Sequence, residues 1–141
     1  MPQDFSKRIS IAIDSALPNW QVLNVVAHIS AYFGNQLGAN FGTGKYFESQ
    51  DGILFPRNSQ YPIIALSANA QQLPIFAQSV REAQDVQAMF FIREMIETTD
   101  DQEIVELLSH KSNQDVELLG VGIFGENQRV KELTKAFKLW S

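Results

Sequence analysis

The chain has 141 residues, a net charge of −5 and no cysteine. This length predicts a single domain over residues 1–141, and the 45% share of hydrophobic residues is enough for a core without disulfides or metal. The lack of cysteine excludes thiolate nucleophiles and cysteine zinc sites, and the acidic balance disfavours nucleic acids and anionic membranes. Because MPQDFSKRIS lacks an apolar leader and no run approaches ~20 apolar residues, we expect a cytoplasmic protein that spans no membrane.

The first half of the chain predicts a strand, a helix and a long loop. Residues 8–14 alternate isoleucine with small or polar residues, which is typical of a strand with one bulky face. Residues 20–37 contain no proline and are apolar on nearly every side, which predicts a largely buried helix. In the glycine-rich stretch 38–62, the pair Asp51-Gly52 predicts a hairpin turn.

The second half of the chain predicts strands and helices in alternation. Apolar runs predict strands, and apolar residues three and four apart predict helices. In chain order these are a strand at 63–68, a helix from Pro74, a strand at 87–96, a helix at 100–110, a strand at 116–125 and a helix at 126–140. The order β-α-β-α-β-α-β-α therefore predicts an α/β sandwich with helices on both faces of the sheet.

Two glycine motifs resemble parts of nucleotide-binding sites. GVGIFG at 120–125 matches G-x-G-x-x-G after a strand, but the chain ends one helix later without the second strand that a dinucleotide site needs. GTGK at 42–45 has Ala39 and Tyr46 where a phosphate loop needs glycine and a hydroxyl residue. Neither motif predicts a nucleotide site, and we expect no cofactor.

Metal and nucleic-acid sites have weak support. The two histidines, His28 and His110, lie far apart without carboxylates at metal-ligand spacing, so no metal site is expected. His110 fits the end of a predicted helix, where it interacts with the helix dipole. Lys131, Lys135 and Lys138 would form a basic stripe on the last helix, a pattern that more often marks a solvated face.

A polar seam runs along the first predicted helix. Gln21, Asn24, His28 and Tyr32 follow one another at spacings of three, four and four residues. Buried amide and imidazole groups need hydrogen bonds, so this seam either meets internal partners or lines a ligand pocket. The loop 15–19 lies beyond the carboxyl end of the first strand, where α/β sheets bind ligands. We therefore expect a polar pocket at this strand–helix junction.

This pocket suggests catalytic and binding roles. In an enzymatic version, His28 is the general base because imidazole takes up protons near neutral pH, and Asn24 orients a substrate or an oxyanion. Asp14 ends the strand in the same cleft, and Glu94 could orient the imidazole if its strand end lies near. The expected ligand-binding residues are consecutive at the junction: Pro18, Asn19, Trp20 and Gln21.

Both ends of the chain resemble peptidyl-tRNA hydrolase type II. RISIAIDSALPNWQVLNVVAHISA is similar to its first strand, loop and helix, including the interval from Asp14 to His28, and ELLGVGIFGENQRVKELTKAFKLW is similar to its last strand and helix. The LP…N…AH start, the FGENQRVKELTKAFKLW end and ETTDDQEIVELL resemble more closely an uncharacterised bacterial family related to that hydrolase. The resemblance implies a three-layer α/β/α sandwich on a four-stranded mixed sheet and a homodimer, without a known activity.

The resemblance also identifies chemical differences. Gln21 stands where the hydrolase family has a functional lysine, and Val25 stands where it has a helix glutamine. Glu94 would take the place of its aspartate after the third strand, and His28 matches. Without the lysine, the site lacks a cation for a phosphate or an oxyanion. The sequence therefore favours a protein that binds a small molecule or catalyses an unassigned reaction such as a hydrolysis.

Two alternatives stay open. One is a true peptidyl-tRNA hydrolase acting on tRNA, in which Lys45 or Arg93 replaces the missing lysine. The other is a non-catalytic, dimeric interaction module, whose seam residues should be hydrogen-bonded internally and closed to solvent. In either case, we expect the loop 38–62 to determine specificity.

Overall fold

The computed structural model describes residues 2–141. Its strands are β1 (Lys7–Asp14), β2 (Tyr46–Glu48), β3 (Leu54–Pro56), β4 (Ile63–Ala68), β5 (Gln87–Ile92), β6 (Leu118–Glu126) and β7 (Lys138–Leu139). Its helices are α1 (Asn19–Leu37), α2 (Gln72–Glu82), α3 (Arg93–Glu97), α4 (Asp101–Ser109) and α5 (Asn127–Leu133). The chain therefore has the mixed α/β character that the sequence predicts.

Five strands form one mixed sheet in the order β5-β6-β1-β4-β7. β1 and β4 are parallel, and each other neighbouring pair is antiparallel. One face of the sheet packs against α1 through Ile11, Ile13 and Phe33. The other face packs against α2 and α5 through residues that include Leu73 and Val130. Helices therefore cover both faces, as predicted.

Two predictions are wrong at the end of the chain. The sheet has five strands and not four, and the last helix is shorter than predicted. Helix α5 ends at Leu133, and β7 adds a fifth strand that pairs with β4. Phe137 packs on the α2 side of the sheet, whereas Trp140 packs on the α1 side. Residues three apart reach opposite faces in a strand, so the helix-like spacing was misleading. The expected lysine stripe is lost with it, because Lys138 lies in β7.

The third predicted strand is also shorter than its apolar run. β5 ends at Ile92 after a bulge, and residues 93–97 turn into the short helix α3. Thr98 ends this helix by donating hydrogen bonds from its backbone N and its Oγ1 to the Glu94 carbonyl, at 3.1 Å and 2.9 Å. Glu94 therefore belongs to a helix and not to a strand end.

The predicted hairpin is confirmed in the loop 38–62. β2 and β3 pair antiparallel, and Gly52 has a φ of +85° in the turn. Arg57 holds the base of the hairpin by donating to the Tyr46 carbonyl at 3.0 Å and to Thr43 Oγ1 at 2.7 Å. Across residues 2–141, no helix is long and apolar enough to cross a membrane.

The GVGIFG motif is a helix-packing site. Gly120 and Gly122 lie buried in β6 beneath α1. A Cβ atom on Gly120 would lie 2.5 Å from Val25 Cγ1, and one on Gly122 would clash with Ile29 Cγ2. Both glycines therefore let the helix approach the central strands closely, which explains the motif without a dinucleotide.

Gly122→Ala should destabilise the fold by about 1–3 kcal/mol, because the new methyl group overpacks the contact with Ile29. The matched control is Gly34→Ala in α1, where the nearest atom to a Cβ is 3.7 Å away in the Phe41 ring. That control should raise stability by about 0.5–1 kcal/mol through backbone entropy. Urea unfolding measures both changes, and equal stability of the two variants would contradict the packing role.

Candidate functional site

Asp14 closes the turn between β1 and α1. Its side chain is buried, and its Oδ1 accepts a hydrogen bond from the Ala16 backbone N at 2.9 Å. The Ser15 backbone N donates to the Ala68 carbonyl at 2.9 Å, which ties this turn to the end of β4. This is an Asx-type turn, so one carboxylate oxygen of Asp14 already has a structural role.

The start of α1 is held by backbone hydrogen bonds. Pro18, and not Asn19, occupies the N-cap position, and its carbonyl accepts from the backbone N of Gln21 at 2.9 Å and of Val22 at 3.1 Å. Among the described residues, no side chain caps this helix end. Trp20 is 60% exposed, so its indole is available at the surface instead of being used in the core.

A guanidinium group lies beside Gln21. Arg93 Nη1 donates to Gln21 Oε1 at 3.0 Å, while Arg93 Nε and Nη2 donate to the two carboxylate oxygens of Glu117 at 2.9 Å and 3.0 Å. The hydrogen bonds to Glu117, together with smaller effects of charges that include Asp14, raise the pKa of Arg93. The same bonds lower the pKa of Glu117. The uncharged Gln21 therefore contacts a cation, Arg93, which lies where β5 ends and α3 begins.

The buried Glu94 forms an ion pair with the exposed Lys111. Only 4% of the Glu94 side chain is exposed, and its Oε1 lies 2.5 Å from Lys111 Nζ. Burial acts to raise the pKa of Glu94, but the hydrogen bond and the charge of Lys111 outweigh it and hold the pKa below its usual value. Within residues 2–141, Glu94 Oε2 is the buried side-chain polar atom that has no hydrogen-bond partner.

A groove of about 470 Å³ opens beside His28. Its floor consists of Met89 and Phe91 from β5 and Met95 from α3, and the His28 ring lies 5.3 Å from the Phe91 ring between centroids. The opposite wall is α4, with Ile104 among its lining residues. We call this space the His28 groove.

Polar groups line the rim of the His28 groove. They are the side chains of Thr98, Thr99 and Asp101, together with His28 itself. His28 is exposed, and its ring makes no hydrogen bond within the described residues 2–141. An apolar floor with a few polar groups at its edge is the usual composition of a small-molecule site.

The predicted pocket is thus divided into two places. Asp14, Gln21 and Arg93 meet at the carboxyl edge of the sheet, whereas His28 lies two helical turns farther along α1, about 10 Å from Gln21. Asn24 is half-buried between these places. The seam is therefore open to solvent at His28, whereas a non-catalytic interaction module was expected to close it.

Several site residues escaped the sequence reasoning. Met95 falls in the predicted strand 87–96 and Ile104 in the predicted helix 100–110, and neither was expected to line the His28 groove. Lys111 and Glu117 were not considered, although both contact groups on α3. The available signal was that Arg93 and Lys111 are the two cations in residues 93–111, which also contain six carboxylates. Isolated cations in an acidic segment indicate ion pairing.

The rim of the site is acidic. Both cations of residues 93–111 are engaged, Arg93 with Glu117 and Lys111 with Glu94. Asp101 on the groove rim has no such partner among the residues that the structure describes. Among residues 2–141, no three potential metal ligands come together either. The arrangement suits an uncharged or cationic ligand better than an anion.

The chain is similar to proteins whose activity is not known. Residues 7–141 match the profile of a family described as protein of unknown function, DUF2000. A solved structure of a protein of unknown function from Agrobacterium tumefaciens strain C58 is 25% identical, with a TM-score of 0.84 over 98% of this chain and 100% of that one. The comparison with curated proteins found no match. These similarities support the mixed α/β architecture without assigning an activity.

The Glu94–Lys111 pair should make stability depend on pH. Because the folded state lowers the pKa of Glu94 from 4.5, its contribution is present above that value and is lost as the pH falls through the folded pKa. Lys111 has a raised pKa, so its contribution is present below 10.5 and is lost as the pH rises through the folded pKa. The pair therefore stabilises the fold at neutral pH.

Lys111→Met should lower the urea midpoint near pH 7, since it leaves the Glu94 carboxylate buried without a cation. The difference from the parent should shrink at an acid pH below the folded pKa of Glu94, where its carboxylate is protonated. Lys131→Met, at an exposed position of α5, is the matched control and should change little at either pH. An equal loss of stability at both pH values would contradict the ion-pair explanation.

Proposed function

Because the chain belongs to the DUF2000 family of proteins of unknown function, we propose a function from its site: it is a single-domain protein that binds a small molecule with an apolar body in the His28 groove. The volume of about 470 Å³ carries this proposal, since small-molecule sites typically occupy about 300–1,000 Å³. His28 is the polar anchor, because its ring is exposed and has no hydrogen-bond partner within residues 2–141.

Binding has more support than catalysis. A general base is usually oriented by a second polar group, and the carboxylate expected for that role, Glu94, is held by Lys111. Asp14 is used in the turn after β1. Asn24 is half-buried one helical turn from His28 on the same face of α1, so we include it as a second contact for the ligand. The proposed site is therefore His28 and Asn24 above an apolar floor.

Two of the three methionines report on this site, because Met89 and Met95 both line the groove. Titration of the methyl-¹³C-methionine protein with indole or 2-phenylethanol should shift both methyl signals in a saturable way. His28→Ala should weaken binding about fivefold, the effect of losing one hydrogen bond of about 1 kcal/mol.

The matched control for that titration is His110→Ala, because His110 is exposed and lies outside the groove. It should bind both probes as the parent does. Absence of any methionine shift, or equal weakening by the two histidine variants, would overturn the proposed site.

Peptidyl-tRNA hydrolysis is the second candidate. The observation in its favour is the hydrogen bond from Arg93 to Gln21, which supplies a cation beside the position where the resembled family has its lysine. The bidentate pairing of Arg93 with Glu117 opposes this candidate, because the guanidinium is already neutralised. The acidic segment 93–111 also repels a polyanion such as tRNA.

Release of the blocked amino acid from an N-acetylated aminoacyl-tRNA separates the two candidates. We expect no turnover above the blank, either for the parent or for folded His28→Ala and Arg93→Gln variants. Turnover that disappears in both variants would establish the hydrolase and would show that Arg93 replaces the lysine.

A further inference from the structure

The outer edge of β5 is an unprotected strand edge. β5 is the last strand on its side of the sheet, and within residues 2–141 its backbone hydrogen bonds run to β6 alone. Its sequence QAMFFI contains no charge and no proline. The opposite edge, β7, is two residues long and carries Lys138. A short edge strand and a lysine on it both commonly protect a sheet edge against pairing with another chain. One edge of this sheet is therefore open to a further strand.

Grooves lie on both faces of the sheet beside this edge. Met89 and Phe91 contribute to the His28 groove on the α1 face. Phe90 and Ile92 contribute to a second groove of about 190 Å³ on the α2 face, where Arg81 also lines it. Successive side chains of a strand point to opposite faces, so a strand added along β5 would present alternate side chains to the two grooves.

The charges beside β5 indicate which kind of chain segment could pair with its edge. Residues 93–111 contain six carboxylates and two cations, so this segment on the α1 side has a net negative charge, and its Asp101 lines the His28 groove. Two copies of this chain paired along β5 would bring two such segments to one axis, which costs free energy through like-charge repulsion. On the α2 side, Arg81 lies over the Phe90 ring at 4.5 Å and disfavours a second cation there. The edge therefore suits a segment that is basic on one face and uncharged on the other.

We propose that the edge of β5 binds an extended segment of another protein in which Lys or Arg alternates with uncharged apolar residues. Its backbone pairs with β5. A basic side chain enters the His28 groove, with its aliphatic stem on Met89 and Phe91 and its charged end near Asp101. The inference rests on the proposed function, because this side chain takes the place of the small molecule in the same groove.

A synthetic peptide of about eight residues, alternating lysine and valine, tests the inference on the full chain. It should bind at least tenfold more tightly than the matched glutamate–valine peptide. It should also shift the Met89 methyl signal and slow amide hydrogen exchange in residues 88–90. The same peptide with a central proline should bind at least tenfold more weakly, since proline cannot donate to the strand edge.

Asp101→Lys tests the charge contribution. It should weaken binding of the lysine–valine peptide about tenfold, whereas Glu106→Lys, on the same helix but outside the groove, should change binding less than about threefold. Both positions are exposed, and equal urea midpoints will show that both variants fold. Equal effects of the two variants would overturn the role of Asp101 and with it the proposed direction of the basic side chain.

The remaining outcomes separate this inference from the proposed function. If the methionine signals shift with indole but not with the peptide, the proposed small-molecule site is supported and the proposed peptide binding is contradicted. Peptide binding without slower exchange in residues 88–90 would overturn strand pairing. A dimer in sedimentation whose β5 amides are protected without peptide would show that a second copy occupies the edge, and it would also overturn the inference. If neither indole nor the peptide binds, both proposals fail.

Discussion

The close contact between α1 and two glycines of β6 fixes the position of each candidate functional group. Gly120 and Gly122 leave no room for a Cβ atom beneath Val25 and Ile29, so the helix axis is held near the middle of the sheet. This placement brings the first turn of α1 to Arg93 and its third turn over Phe91. The polar contacts at the sheet edge and the His28 groove are both consequences of one packing constraint.

The two parts of the site differ in how their charges are paired. At the carboxyl edge, Arg93 and Lys111 are matched by Glu117 and Glu94, so this region is a structural ion-pair network. Because the Glu94 carboxylate is buried, breaking its pair with Lys111 is costly. The His28 groove has the opposite character, with an apolar floor, an exposed imidazole and loosely covered apolar side chains on α4. A groove of this kind can exchange water for a ligand at low cost, which is why we propose the binding site there.

The local part of the fold could be predicted from the sequence. Alternating isoleucines predicted β1, the Asp51-Gly52 pair predicted the hairpin, and apolar residues three and four apart predicted α4. The errors occurred where periodicity was ambiguous. The apolar run at 87–96 divides into a strand and a helix, because hydrophobicity alone does not distinguish a buried strand from a short helix. At the chain end, helix-like spacing over 137–140 belongs to a turn and a strand.

The sequence by itself determined the α/β class, the polar seam on α1 and the acidic character of residues 93–111, because these depend on spacing and composition. The tertiary structure alone decided which of those groups meet. Arg93 and Gln21 are 72 residues apart, and Arg93 and Glu117 are 24 apart. Contacts over such distances depend on strand order and register, which local periodicity does not contain. For the same reason, only the folded chain separates His28 from Asp14 and leaves the edge of β5 open.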